Sequence, residues 1–364
     1  MTSAPPRTPP SSAGKGYSML PPVPAPLQRL FDLFPLRTLP ANALPAAASL
    51  SFFSSCSSPS PDEGPALFVF TTDDAARRGA PSFNPSCLKW QTYLRARRVP
   101  HRTVPSTNHA SPSGALPFLL VAPAPEAGAG PKSSPSAQQQ QQQQPKYIAA
   151  SALPAYIASH APAAPTTAAA AAADQPAQDP RAALYAALLE TAVRPAYLHA
   201  LYIVTANTPL MQDLYVNPST RSRPVRASLS RQLRRAAEAE VRRAVVAASG
   251  GRSPLDAEDP ARLLAEARAA FAALAELLSA NSRTASEEQQ QEQQQQQRKE
   301  TFFFGGDGQG GPGLFDASVF AYTHLLLGGE LAWADRSLAQ AAEEFPALVE
   351  HRRRVYEACW GRSA

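Results

Sequence analysis

The sequence predicts a small α/β unit over residues 67–160, followed by an all-helical unit over residues 180–364. Two observations predict this order. In the first unit, short apolar runs and helix start signals alternate as strand, helix, strand, and then strand, strand, helix. From Asp179 onward, apolar residues recur at the three- and four-residue spacing of a helix face.

Four short segments are predicted to be the strands of the first unit. They lie at Leu67–Phe70, His101–Val104, Leu116–Val121 and Tyr147–Ala149. A loop is expected over residues 73–79. The helix after this loop begins with Asn84, whose side chain can cap the first turn, and Pro85, which suits the first helical position. This helix should run to about Arg98, and a second one is expected over Ser151–His160.

Helix signals fill the second unit. A helix that opens at Pro180 contains Pro195, which should kink or divide it, because an interior proline removes a hydrogen bond and clashes with the preceding turn. Residues 228–247 predict a basic helix, and Asp259 followed by Pro260 predicts the start of another. The final helices are expected at Leu314–Leu327, Asp335–Phe345 and Pro346–Trp360.

Four segments have compositions that cannot build a packed core. Residues 1–66 are rich in Pro and Ser and should be mostly disordered, apart from a short amphipathic turn at Leu27–Leu36. Residues 122–145 are predicted to be a disordered insertion that carries seven consecutive glutamines. Residues 161–179 are typical of a linker, and residues 281–312 of a second insertion, rich in Gln and then in Gly.

The composition argues against several kinds of site. The three cysteines are odd in number, far apart and in no CxxC arrangement, which disfavours a disulfide framework and a zinc site. The six histidines do not cluster at metal-ligand spacing, so neither a metal nor any other cofactor is predicted. The net charge of +5 is too small to indicate nucleic-acid binding by itself.

No segment of the sequence is predicted to cross a membrane. The most apolar candidate, Ala317–Gly329, contains His324 and is bounded by Asp316 and Glu330. It is too short, since a spanning helix needs about 20 apolar residues. Prolines interrupt the N-terminus, which therefore does not resemble a secretory signal. A role at a membrane would then require that partners or the protein's own surface hold the chain there.

One segment carries most of the positive charge. Its arginines are Arg221, Arg223, Arg226, Arg231, Arg234, Arg235, Arg242 and Arg243. Only Glu238 and Glu240 offset them. This pattern is typical of a solvated helix face, but it also fits attraction to anionic lipid head groups or to an acidic partner. Nucleic acid is disfavoured as a partner, because no aromatic residues interleave with the arginines and no binding motif is visible.

Three sequence strings resemble a known family. They are FNPSCLKWQTYL at Phe83–Leu94, SPSGALPFLL at Ser111–Leu120 and FPALVEHRRRVY at Phe345–Tyr356. The order of elements resembles the glutathione-transferase layout, a thioredoxin-like domain followed by a helical bundle. Within that superfamily, the three strings are similar to the metaxins. The LFDLFPL string at residues 30–36 resembles the smaller metaxin-like subunit of the fungal sorting and assembly machinery.

The resemblance implies two structural residues. Thioredoxin-like folds place a cis-proline before the third strand, and Pro117 occupies that position here. The buried helix of the transferase C-terminal domain begins with a Ser or Thr cap and an Asp three residues later. Asp316 keeps the acidic position, whereas Gly313 stands at the cap. Because glycine is a tolerable cap, we expect the helix start to be weakened but retained.

The resemblance also implies where transferase chemistry would lie. Transferases place a Ser, Cys or Tyr at the start of the first helix, where Ser86 and Cys87 stand here. They hold the ammonium group of glutathione with an acidic residue and a Ser after the fourth strand. That pair is Ala150 and Ser151 in this chain, so the carboxylate is missing. Since Cys87 also lies on the apolar face of its helix, we predict that it packs and that the chain is not an enzyme.

The metaxin resemblance implies a function at the mitochondrial outer membrane. It suggests a non-enzymatic, peripheral subunit on the cytosolic face, which acts as a receptor or cap of the sorting and assembly machinery. The implied partners are the β-barrel insertase core subunit, a second metaxin-like subunit, the C-terminal β-signal of β-barrel precursors, and the membrane surface. The alternatives are a cytosolic glutathione transferase or a transferase-like structural adaptor in another complex.

Overall fold

The computed structural model describes residues 64–121, 146–162, 180–248, 259–287, 302–305 and 311–361. Several predictions lie outside these described residues. They concern the N-terminal segment with its turn at Leu27–Leu36, the Gln-rich insertion 122–145 and all of the linker after residue 162.

Four strands form one mixed sheet. They are β1 (Ala66–Val69), β2 (Arg102–Pro105), β3 (Phe118–Val121) and β4 (Lys146–Ala149). The strand order is β2-β1-β3-β4; β1 runs parallel to β2, and β3 runs antiparallel to both β1 and β4. All four residues of β1 are buried, as a short and continuous apolar run predicts for a central strand. Phe68 and Phe118 pair across β1 and β3, and their rings stack with centroids 4.4 Å apart.

Among the described residues, three α-helices belong to this unit. They are α1 (Asp73–Arg77), α2 (Pro85–Ala96) and α3 (Leu153–His160). The prediction of a loop over residues 73–79 was wrong for α1. The Thr72 side chain caps this short helix by accepting a hydrogen bond from the backbone N–H of Ala75, at 3.2 Å. Asp73 and Asp74 occupy its first turn, where negative side chains favour a helix start.

The second unit is helical, as predicted. Its α-helices are α4 (Pro180–Leu188), α5 (Arg194–Leu198), α6 (Thr208–Tyr215), α7 (Arg223–Ala248), α8 (Pro260–Glu287), α9 (Leu314–Leu327), α10 (Ser337–Glu343) and α11 (Pro346–Trp360). Two π-helical segments, Leu189–Val193 and His199–Ile203, flank α5. These wider turns lie on both sides of Pro195, so the regular helix is divided near the proline.

The structure corrects the sequence analysis at two further places. Helix α6 was not predicted, although Pro209 in its first turn is a helix start signal. Residues 281–312 are not wholly an insertion, since α8 continues to Glu287. Phe302 and Phe303 are also buried in the helical core. The burial of these two aromatic side chains was not predicted from composition, because they lie between Gln-rich and Gly-rich runs.

Helices α2 and α9 join the two units. The buried side chains form one cluster around the sheet and another among the helices. Leu88 of α2 belongs to the helical cluster, whereas its neighbour Cys87 belongs to the sheet cluster. Ala317 of α9 belongs in turn to the sheet cluster. Each of the two helices therefore contributes to both hydrophobic cores.

A fully buried carboxylate fixes the start of α9. Asp316 accepts hydrogen bonds from the backbone N–H groups of Gly313 and Phe303, both at 2.9 Å. His351 of α11 is also fully buried, and its Nε2 lies 2.8 Å from the carboxylate oxygen Oδ1. Because Gly313 has no side chain, only the acidic half of a capping box forms. The hydrogen bond from Gly313 to Asp316 still caps the start of α9, as expected for Asp316.

Replacing Asp316 by alanine should destabilise the protein strongly. The Asp316→Ala change leaves two backbone N–H groups and the His351 ring without their acceptor, and breaking such a buried group typically costs about 3–5 kcal/mol. Urea unfolding followed by circular dichroism measures this loss. The exposed Asp213→Ala change is the matched control, which we expect to alter the free energy of unfolding by less than about 0.5 kcal/mol. Equal losses in both variants would contradict this role of Asp316.

Candidate transferase-like site

The N-terminus of α2 is capped by the protein's own side chain. The Asn84 Oδ1 atom accepts a hydrogen bond from the Cys87 backbone N–H, at 3.2 Å, and Pro85 has no N–H to offer. The predicted cap is therefore formed. The resemblance places transferase chemistry at this helix start. One backbone N–H group that could stabilise a thiolate there, that of Cys87, already donates to Asn84.

The two candidate nucleophiles differ in their surroundings. Cys87 is fully buried in the sheet cluster, and burial raises the pKa of its thiol to about 12, although hydrogen bonding to Phe70 and Ser82 lowers it. The thiol is therefore protonated at neutral pH and is a poor nucleophile. Ser86 is exposed at the helix start. The packing role predicted for Cys87 agrees with its burial.

An aromatic cluster lies against the same helix start. We define the interdomain aromatic cluster as Phe70, Phe83, Tyr202 and Tyr215. The Tyr215 ring meets Phe70 and Phe83 edge-on, with centroids 5.2 and 5.4 Å apart, and lies 5.8 Å from the Tyr202 ring. The Asn84 Nδ2 group donates a hydrogen bond to the Tyr215 hydroxyl, at 3.2 Å. The cap of α2 is thereby tied to α6, a helix of the other unit.

Both tyrosines of the interdomain aromatic cluster are held in the neutral form. Burial raises the pKa of Tyr202 to about 12, and it raises the pKa of Tyr215 well above the usual range. A phenolate at this position would therefore be strongly disfavoured at neutral pH. Neither tyrosine was predicted from the sequence as part of this site, because Tyr215 lies 131 residues from Asn84 along the chain.

The other transferase positions lie at the ends of β3 and β4. The Leu116–Pro117 peptide bond is cis, as expected of a thioredoxin-like unit, and the Leu116 N–H donates to the Asn108 side chain at 3.0 Å. After β4 the chain forms a 3₁₀ turn, Ala150–Ala152, in which Ser151 is exposed. The methyl group of Ala150 stands where the resemblance expects a carboxylate.

Most of the predicted basic residues lie on α7. Arg221 precedes this helix, and the others fall along its length. Several of them have partners in the protein; for example, Arg226 donates a hydrogen bond to Asn217, Arg234 pairs with Glu238, and Arg243 pairs with Glu240. Arg231, Arg235 and Arg242 are four and seven residues apart, a spacing that places them on one flank of the helix.

Two cavities are lined by described residues of the helical unit. A groove of about 720 Å³ runs between α8 and α10, and it is lined mostly by small side chains such as Ala265, Ala272 and Ala341. A smaller cavity of about 220 Å³ adjoins it, with His199 and Asp335 among its lining residues. Neither cavity includes the N-terminus of α2, so both are distinct from the transferase-like site.

Two absences apply to the described part of the chain. No group of three or more His, Cys, Asp or Glu residues there could hold a metal ion. Among the helices of the same residues, none has the length and hydropathy needed to span a bilayer.

Two family models match the chain. The glutathione S-transferase N-terminal domain matches residues 85–140, which begin at the first residue of α2. The glutathione S-transferase C-terminal domain matches residues 296–355, which include α9, α10 and most of α11. The chain has a glutathione-transferase-like fold. The transferase-like N-terminal domain holds the sheet, and the transferase-like C-terminal domain is mostly helical, in agreement with the predicted fold class.

One solved structure similar to this transferase-like chain is a glutathione S-transferase of Ceriporiopsis subvermispora in complex with glutathione. It is 17% identical in sequence, the match covers 78% of this chain and 97% of that one, and the TM-score is 0.37. No curated protein matches the chain.

The thiol of Cys87 should resist alkylation in the native protein. With a pKa of about 12, the thiolate fraction at pH 8 is on the order of 10⁻⁴, and burial blocks access to it. Iodoacetamide treatment followed by peptide mass spectrometry should find Cys87 unmodified before urea is added and fully modified afterwards. Native modification of Cys87 as fast as in urea would reveal a reactive thiol and contradict its packing role.

The Asn84→Ala change should destabilise the protein by about 1–2 kcal/mol, because it removes both the helix cap and the hydrogen bond to Tyr215. The exposed neighbour Ser86→Ala is the matched control and should change the free energy of unfolding by less than about 0.5 kcal/mol. Thermal and urea unfolding measure both values. A cost for Asn84→Ala no larger than that of the control would show that the cap contributes nothing.

Proposed function

We propose that this chain is a non-enzymatic, metaxin-like subunit of the mitochondrial sorting and assembly machinery. The observation that carries the non-enzymatic part is the engaged start of α2. There Asn84 caps the helix and binds Tyr215, while Cys87 is buried and protonated. The loss of a carboxylate at Ala150 points in the same direction. Together these features favour a scaffold over a glutathione-conjugating site.

The positions of the three metaxin-like strings support the scaffold interpretation. The first string forms most of α2, the second contains the cis-proline turn and the start of β3, and the third opens α11. Near the end of α11, the Cys359 carbonyl accepts a hydrogen bond from Arg95 of α2, at 3.2 Å. The first string therefore lies where the two units are in contact, since its Asn84 binds Tyr215 and its Leu88 belongs to the helical core. This placement suits a protein in which the shape of the scaffold is the functional property.

The proposed partners follow from the metaxin resemblance. We place the chain on the cytosolic face of the outer membrane, beside the β-barrel insertase core and a second metaxin-like subunit. A β-barrel precursor would present its C-terminal β-signal, a short strand. Strands β2 and β4 are the edges of the sheet, and edge strands can pair with an extended peptide through main-chain hydrogen bonds.

A cytosolic glutathione transferase is the second candidate. The fold and the exposed Ser86 hydroxyl at the start of α2 favour it. This alternative predicts that the chain is retained on immobilised glutathione and that it conjugates glutathione to an electrophile such as a chlorodinitrobenzene. It also predicts a large loss of that activity in the Ser86→Ala variant.

Affinity purification from mitochondria tests the proposed function. A tagged full-length chain expressed in its own cells should recover the β-barrel insertase core and a second metaxin-like protein. Carbonate extraction should release the chain from the membrane fraction, as expected of a peripheral subunit. Absence from mitochondria, or recovery of no insertion subunit, would overturn the proposal. Retention on glutathione together with Ser86-dependent conjugation would favour the transferase instead.

A further inference from the structure

The positive charge of this protein is concentrated in one segment of the sequence. Residues 221–248 contain eight arginines and two glutamates, a net charge of +6, whereas the whole chain carries +5. The remaining residues therefore carry a net charge of −1. All but the first two of these residues belong to α7, which has only Ala237, Val241 and Val245 buried.

Four of these arginines have no partner within the described residues. They are Arg221, Arg223, Arg231 and Arg235, and all are exposed. We call these four the basic stripe. The acidic residues nearby are engaged elsewhere. Glu240 pairs with Arg194 of α5 and with Arg243, both at 2.6 Å, and Glu238 pairs with Arg234 at 3.0 Å. The basic stripe is therefore not neutralised by its own helix.

A second basic run provides the contrast. In α11, Arg353 pairs with Glu350 at 2.6 Å and with Glu357 at 2.5 Å, and Arg354 pairs with Glu350 at 2.8 Å. The two runs look alike in sequence, since both place consecutive arginines on a helix. The run on α7, in contrast, leaves four exposed guanidinium groups without a carboxylate partner among the described residues.

The shape of the surface favours a diffuse anionic partner. From Arg223 to Arg235 the helix rises about 18 Å, and neither of the two cavities has an α7 residue in its lining. Residues 221–248 contain no aromatic side chain. Protein interfaces usually centre on buried aromatic anchors, and single-stranded nucleic acid is held by aromatic stacking. A membrane of anionic lipids needs only a row of cations, since its head groups rearrange freely around them.

An exposed apolar side chain accompanies the charges. Val225 lies between Arg223 and Arg226 and is 45% exposed, one of three large apolar side chains exposed in the described part of the chain. Several exposed positions around the basic stripe are small, for example Ala227, Ser228 and Ala236. Small side chains let the guanidinium groups approach a flat surface closely.

We propose that the basic stripe of α7 binds the phosphate groups of anionic phospholipids and so lays this helix along a membrane surface. The inference rests on the proposed function only in assigning a membrane to the chain. Each cation near such a surface contributes about fivefold in affinity at low salt, so four together give on the order of a hundredfold or more. The attraction should weaken as salt is added, because it acts between exposed charges.

Vesicle flotation with the purified full-length chain tests this proposal. The vesicles contain phosphatidylcholine alone or with about one third phosphatidylserine. The test variant carries Arg221→Gln, Arg223→Gln, Arg231→Gln and Arg235→Gln. The matched control removes four exposed cations from the sheet-bearing unit, through Arg77→Gln, Arg78→Gln, Arg98→Gln and Lys146→Gln. Both variants lose the same net charge, and thermal unfolding checks that both are folded.

We expect the wild-type chain and the matched control to float with the phosphatidylserine vesicles and the stripe variant to lose most of this binding. Equal losses in both variants would show that net charge alone acts and would overturn the proposal. Failure of the wild-type chain to bind, or binding that does not weaken with salt, would overturn it too. The salt series uses only the wild-type chain, so absent or salt-independent binding overturns the proposal even if the stripe variant fails to fold.

The two proposals can fail separately. If the chain binds anionic vesicles through the basic stripe but recovers no insertion subunit from mitochondria, the lipid site stands and the proposed function falls. In another outcome, the chain does not bind vesicles, and the stripe variant fails to recover the insertion subunits that the wild type recovers. The basic stripe then binds protein. That result would overturn the lipid proposal and leave the proposed function intact.

Discussion

The buried Asp316 carboxylate is the interaction on which the rest of the structure depends. It joins three segments. It accepts hydrogen bonds from the backbone N–H groups of Gly313, at the start of α9, and of Phe303, in the turn before α9, and it lies within hydrogen-bond distance of the His351 ring of α11. Burying a carboxylate away from water costs free energy unless its oxygens accept hydrogen bonds in this way. Once α9 is fixed, it packs on α2 and carries Ala317 into the core of the sheet.

The joint between the units bears directly on function. Helix α2 faces the sheet with Cys87 and the helices with Leu88. Its first turn is engaged by Asn84, which also binds Tyr215 in the interdomain aromatic cluster. The groups that would activate a nucleophile there thus contribute to stability. Under the proposed function, the use of these groups for stability instead of catalysis is the central feature, since a subunit that binds partners needs a fixed shape and not a reactive thiol.

Charge pairing on the protein surface differs between α11 and α7. Within α11, arginines and glutamates pair along the helix and leave little charge for a partner. On α7, two glutamates are engaged by Arg194, Arg234 and Arg243, so four other arginines keep their charge exposed. The interior and the paired surface set the fold, whereas this unpaired surface is the part that long-range electrostatics can use.

The sequence by itself determined the features that depend on local signals. Short segments, three of them apolar, predicted the four strands, Asn84 and Pro85 predicted the start of α2, and the family resemblance predicted the cis-proline at Pro117. Tertiary structure alone decided the contacts that join distant residues, such as Asn84 with Tyr215, 131 residues apart. It also decided that the Phe303 side chain is core and which arginines stay unpaired. The reason is physical: capping and strand preference act over a few residues, whereas burial and charge pairing depend on what the folded chain brings near.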